Sequence, residues 1–159
     1  MEQKSLSNWL KIIILGTGIC GLIVYAYLIP VLGQELIAQY PECTHYFYPW
    51  LIFLWVSGIP CYIVLFFAFR IAANIGKDKS FSTENANYLK YVSLLAAGDS
   101  AFVFIVNIVF LICNINHPGV IMLFLFVIFA GIAISVTSAA LSHLVRKAAV
   151  LQEESDFTV

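Results

Sequence analysis

The chain has 159 residues, 62% hydrophobic and only 11% charged, with a formal net charge of −1 at pH 7 and a mean hydropathy of +0.94. A soluble domain of this size carries about 25% charged residues, so an ordinary water-soluble enzyme or binding module is excluded. The near-neutral balance also gives no electrostatic basis for direct nucleic-acid binding.

Four apolar runs cover residues 12–32, 50–73, 91–113 and 120–145. Each is near or above the ~20 residues that cross a hydrocarbon core of ~30 Å as a helix. The reading is an all-α polytopic membrane protein, a four-transmembrane-helix bundle forming one membrane domain. Short links leave no room for a separate soluble domain. All eight basic residues lie on one side of this pattern: Lys4, Lys11, Arg70, Lys77, Lys79, Lys90, Arg146 and Lys147. Cytoplasmic loops carry the Lys/Arg excess. The expected topology therefore puts both termini, the 74–90 loop and the 146–159 tail in the cytoplasm of a cell-membrane protein.

In chain order, the first segment carries Gly16, Gly18 and Gly21, whose small size lets another helix approach closely. Pro30 predicts a bend or the helix end. The outer loop brings Cys43 and His45, with Tyr40, Tyr46, Phe47, Tyr48 and Trp50 expected to form an interfacial aromatic belt. In the second segment, Ser57-Gly58-Ile59-Pro60 predicts a kink whose freed carbonyl needs a partner from a neighbouring helix. The inner loop is the most polar stretch. Ser82 is placed to cap the next helix, with Glu84 in its first turn favoured by the helix dipole.

Asp99 is the one charge deep inside a span, and an ionised carboxylate near the bilayer centre costs about 2.5–3.5 kcal/mol on insertion scales. Counting equal depths along the antiparallel segments reaches Ser138 and Tyr62, predicting a polar layer in which Asp99 accepts from one or both. Asn107, about 80° further around the helix, would continue that face outward. The functional reading is a proton or cation site; the plainer one is a structural carboxyl that fixes packing. In the fourth segment, Gly131, Ser135, Ser138 and Ser142 form a small, polar stripe at the period of left-handed helix packing. Interhelical contact is its expected role. Together with Gly18 and Gly21 these are the predicted packing positions.

On the outer side, Cys43, His45, Cys113 and His117 offer two thiols and two imidazoles, a donor set suited to zinc or copper. Their spacing matches no recognised zinc signature. An external Cys43–Cys113 disulfide is a further alternative, and unlinked surface residues are the leading reading, so no metal or cofactor is expected. No nucleophile elbow, phosphate loop, HExxH or CxxC occurs, and no enzymatic activity is expected.

Two stretches carry a family resemblance. One runs Gly76-Lys77-Asp78-Lys79-Ser80-Phe81-Ser82-Thr83-Glu84-Asn85, followed by Tyr88-Leu89-Lys90. The other is Leu151-Gln152-Glu153-Glu154-Ser155-Asp156-Phe157-Thr158-Val159, where Phe157 replaces the usual leucine. With four spans at these positions, the chain resembles the bacterial membrane family catalogued as domain of unknown function 2975. Members of such families often lie beside a gene for a small helix-turn-helix regulator. The resemblance thus implies membrane-linked regulation and supplies no catalytic residues.

The leading functional expectation is a non-enzymatic regulatory or accessory membrane protein. Phe81, Ser82, Glu84 and Asn85 of the loop and Leu151, Glu153, Glu154, Asp156 and Phe157 of the tail would meet a cytoplasmic partner. The lipid bilayer is the other partner. The competing expectation is a small ion or solute transporter or channel subunit built around Asp99, Asn107 and the serine stripe. Four helices enclose little volume, so that reading calls for a homo-oligomer.

Overall fold

The structure is a computed structural model and describes residues 3–156, leaving aside the side chains of Cys43 and Asp156. Its elements in chain order are α1 (Gln3–Ile23), a π-helical turn (Val24–Leu28), α2 (Ile29–Gln39), a 3-10 segment (Pro41–Tyr46), α3 (Phe47–Ile75), α4 (Thr83–Ile112) and α5 (Pro118–Asp156). Four helical stretches are long and apolar enough to cross a membrane: Gln3–Gln39, Thr44–Ile75, Thr83–Ile112 and Pro118–Ser155. All four outrun the apolar segments read from the sequence. The longest single helix is α5, whose 39 residues extend about 58 Å at 1.5 Å per residue.

The helix does not end at Pro30. In the wide turn before it, the Ile29 amide donates to the carbonyl of Val24, five residues back. Pro30 has no N–H to continue that pattern onto the Tyr25 carbonyl. Trp55 of α3 supplies the missing donor, its Nε1 lying 3.0 Å from the Tyr25 oxygen. The proline is thus absorbed by a widened turn and a side chain from the next helix.

Around Pro60 two side chains of α3 donate within the helix, to carbonyls other than the one that the proline frees at Val56. Ser57 donates to the Leu54 carbonyl at 3.0 Å, and Cys61 Sγ to the Ser57 carbonyl at 3.6 Å. Gly58 instead makes room for a neighbour, since a Cβ there would stand 3.1 Å from the Tyr25 ring. Its lack of a side chain lets α1 and α3 close on each other. Gly21 does the same against the Tyr62 hydroxyl, 2.9 Å from where its Cβ would be.

Packing follows chain order. α1 packs on α3, α3 on α4, and α4 on α5. Among the described residues no Cα of α1 comes within 8 Å of α4 or α5, so the backbones do not close into a ring. Side-chain donors that reach backbone carbonyls join α1 with α3 and α4 with α5, while Arg70 and Asn74 join α3 to α4 through side chains. Ser7 donates to Ala72 at 2.6 Å, Tyr62 to Gly18 at 3.0 Å, Ser135 to Ser93 at 2.9 Å and Ser142 to Ala86 at 2.6 Å. Near the opposite end, Phe53, Phe102, Phe110 and Phe124 knit α3, α4 and α5 through ring contacts. Trp50 joins this cluster, with centroids 5.1–5.9 Å from Phe53, Phe110 and Phe124. It points into the bundle and not, as expected for a belt residue, out to the interface.

The α4–α5 seam is the tightest, and Gly131 is its closest point: a Cβ there would fall onto the Ser100 hydroxyl. Gly131→Val is expected to destabilise the protein by about 1–3 kcal/mol through overpacking. Thermal unfolding in detergent, followed by loss of monodisperse protein, measures it.

Candidate functional site

The start of α1, the end of α3, the start of α4 and the end of α5 share one face, and the basic residues flank it. Its organiser is Asn85. Ser82 caps α4, its Oγ accepting from the Asn85 amide at 3.2 Å. That cap turns the Asn85 side chain back under the 76–82 loop. There its Nδ2 donates to the carbonyls of Lys79 at 3.1 Å and Ser80 at 3.0 Å, and its Oδ1 accepts from Asn74 Nδ2 at 2.9 Å. The residue is only 1% exposed. One amide therefore fastens the loop to two helices with all its near neighbours satisfied. The sequence places Asn85 on a docking surface; in the structure it lies beneath that surface and shapes it.

The loop's reversal also needs Asp78 in the left-handed region, at φ 58°, a conformation that aspartate tolerates better than most residues. What this clamped loop displays is Phe81, 59% exposed. Beside it, Glu84 accepts from Tyr88 at 2.6 Å and from Asn74 at 3.1 Å, and Arg70 lies 3.8 Å from the same carboxylate. The pair is half exposed, so it sets geometry more than stability.

The end of α5 completes the face. Val145 and Ala149 are buried, and Arg146 donates to Asn87 Oδ1 at 2.7 Å. The opposite stripe stays open. Leu144 and Leu151 are exposed, and His143, Arg146, Lys147, Val150 and Glu154 line a shallow groove with Leu151. Glu153 is exposed on the same extension. The Asp156 side chain and Phe157, also expected in this surface, lie outside the described residues.

A second feature lies within the spans. A cavity of about 400 Å³ is bounded by all four helical rods, with Thr17 and Tyr25 from the first, Tyr62 and Leu65 from α3, Asp99 from α4 and Ile134 from α5 among its walls. Asp99 is its one carboxylate, and no Lys, Arg or His lines it. Asp99 Oδ1 is shut off from solvent and has no hydrogen-bond partner. The expected bonds from Tyr62 and Ser138 are absent. The Tyr62 hydroxyl faces the same cavity but is committed to the Gly18 carbonyl, and Ser138 does not line the cavity. Equal depth fixes height along a helix but not direction around it, and α5 turns Ser135 and Ser142 toward α4.

Asn107 belongs to neither feature. It is 1% exposed, donates to the Val103 carbonyl at 2.9 Å and accepts from Asn116 Nδ2 at 2.9 Å. It braces the α4–α5 link. On that side Cys113 is a free thiol, and His117 Nδ1 accepts from the Gly119 amide at 3.1 Å at the start of α5. His45 is exposed in the 3-10 segment, and the Cys43 side chain lies outside the described residues. No group of three or more His, Cys, Asp or Glu able to hold a metal occurs among the described residues.

Sequence reasoning named Phe81 among the exposed loop residues but missed the clamping role of Asn85, signalled only by its place three residues after the Ser82 cap.

Asn85→Ala would strip the Lys79 and Ser80 carbonyls of their donor, at about 1–3 kcal/mol for a buried group left unpaired. Trypsin is then expected to cut after Lys77 and Lys79 several-fold faster than in the parent protein, read by electrophoresis of protein in nanodiscs.

Comparison with known proteins gives two matches. A family profile described as a protein of unknown function (DUF2975) matches residues 31–159. An uncharacterized membrane protein of Bacillus subtilis (strain 168), YoaS, is 31% identical over 153 residues, covering 95% of this chain and 96% of the relative. No solved structure matches.

Proposed function

The chain belongs to this family of membrane proteins of unknown function, and from that premise we propose that it is a non-enzymatic accessory or regulatory protein that docks a cytoplasmic protein on its basic face. Neither match carries an activity, a substrate or a partner that transfers to this chain.

The observation that carries this reading is the pairing of a clamped loop with an exposed ring. An aromatic side chain held on a rigid backbone loses little freedom on binding, which is the property of a hot-spot residue. The Asn85 bonds fix the loop, and Phe81 is 59% exposed at its tip. The open stripe of α5, with Leu151 at 66% exposure and cations alongside, offers a second contact. The partner this face suits has an apolar pocket bordered by acidic groups; a small helix-turn-helix regulator is one such candidate. A plainer role for Phe81 and the cations is to seat the loop in anionic lipid headgroups. A transport role ranks second, since Asp99 is the only charged group in the cavity and has no partner for a relay.

Two measurements test the proposal. A cysteine placed at Lys79, in a background lacking the native cysteines, should react with a membrane-impermeant maleimide only after cells are opened. Labelling of intact cells would put the face outside and end the docking reading. A photo-crosslinking amino acid at position 81 should then give a discrete protein adduct in native membranes. That adduct should be lost on deleting residues 152–159; adducts to lipid alone would favour the headgroup role.

A further inference from the structure

We propose that the cavity beside Asp99 is a binding site for a lipophilic organic amine in its protonated form, entered sideways from the bilayer, with Asp99 as counter-ion. This uses no residue of the basic face and stands or falls separately from docking there.

The first ground is the pattern of commitments around the carboxylate. Four of the five hydroxyl and thiol groups lining the cavity are engaged elsewhere; the fifth, Tyr25, packs its ring against Gly58. Thr17 donates to the Ile13 carbonyl, Cys61 to Ser57, Tyr62 to Gly18 and Ser100 to Ala96. Asp99 is the one carboxylate on the cavity wall, and its Oδ1 is buried without a partner. Buried polar groups are otherwise satisfied in native structures, and elsewhere in this protein side-chain donors meet carbonyls across the α1–α3 and α4–α5 seams. A bound molecule in the cavity therefore has a carboxylate to donate to.

The second ground is the shape and lining of the space. At about 400 Å³ the cavity falls in the ~300–1,000 Å³ range of small-molecule sites. Its walls are mostly apolar, Leu65, Leu95, Val103 and Ile134 among them. α1 is held by α3 and makes no close backbone approach to α4 or α5, so the cavity's remaining side faces lipid.

The chemistry of the occupant follows from both. An anion is excluded by Asp99. Hard metal cations take about six or more oxygen ligands, and the cavity has one carboxylate amid hydrocarbon. A neutral apolar molecule fills the space but leaves the acceptor unserved. A protonated amine brings both N–H donors and the opposite charge, and its hydrocarbon body matches the walls.

The test uses the full chain in phosphatidylcholine nanodiscs and a photoreactive diazirine alkylamine, with the diazirine alcohol of equal length as control. Expected on irradiation are adducts at Leu95, Val103 or Ile134. Amine labelling there should exceed alcohol labelling roughly tenfold, the worth of one charge-assisted hydrogen bond. Asp99→Asn should lose that excess and Asp99→Glu keep it. Ala130→Phe, which fills the cavity while leaving Asp99 in place, should abolish labelling by both probes. Should Asp99→Asn fail to give monodisperse protein, the amine-to-alcohol ratio on the parent chain and the Ala130→Phe result decide. Equal labelling by amine and alcohol, as for a carboxyl that simply holds its own proton, overturns the proposal. So do adducts confined to lipid-facing positions such as Phe126 and Phe129, or labelling that survives Ala130→Phe.

Discussion

Inside a bilayer no water relieves an unpaired polar group, so each must find its partner within the protein. This chain meets that demand in a consistent way. A side-chain donor on one helix reaches a backbone carbonyl on another, within the spans from Trp55 to Tyr25 and Ser135 to Ser93, and at their basic-face ends from Ser7 to Ala72 and Ser142 to Ala86. These bonds replace the hydrophobic drive that lipid cannot supply between apolar helices. Small residues at the same seams let the donors come close enough. Glycine and serine positions that look ordinary in a hydropathy profile are thus where the tertiary structure is decided.

Against that background the two polar sites contrast sharply. Asn85 uses its amide fully and turns a loop into a fixed surface. Asp99 has an oxygen that no protein group reaches. The first commits its hydrogen bonds to shape and leaves Phe81 free to meet something outside. The second holds a charge-bearing group in reserve beside an open volume. Both lie on α4, Asn85 in its first turn and Asp99 near its middle.

The four spans, the single-sided distribution of cations and the Ser82 cap were legible because each rests on a local or one-dimensional pattern: apolar length, charge count, a residue type ahead of a helix. Direction around a helix is not one-dimensional. Counting residues from the boundaries put Tyr62 at the depth of Asp99 and it does share that cavity, yet its hydroxyl turns to Gly18. Ser138 lies at a similar height and faces elsewhere. At Pro30 the interruption was legible but not its form, since the local rule says nothing of a Trp55 arriving from another helix to complete a widened turn. Asn85 looked like a surface residue because asparagine in a polar loop usually is one.

The chain-order packing of the helices also bears on how the protein is made. Each rod finds its neighbour in the rod synthesised just before it, so no helix must wait for a distant partner or be threaded between two already docked. Contacts between sequence neighbours form quickly and with little loop entropy. Biogenesis can accordingly proceed as a simple succession, with α3 settling on α1, α4 on α3, and α5 zipping last along the serine-lined face of α4.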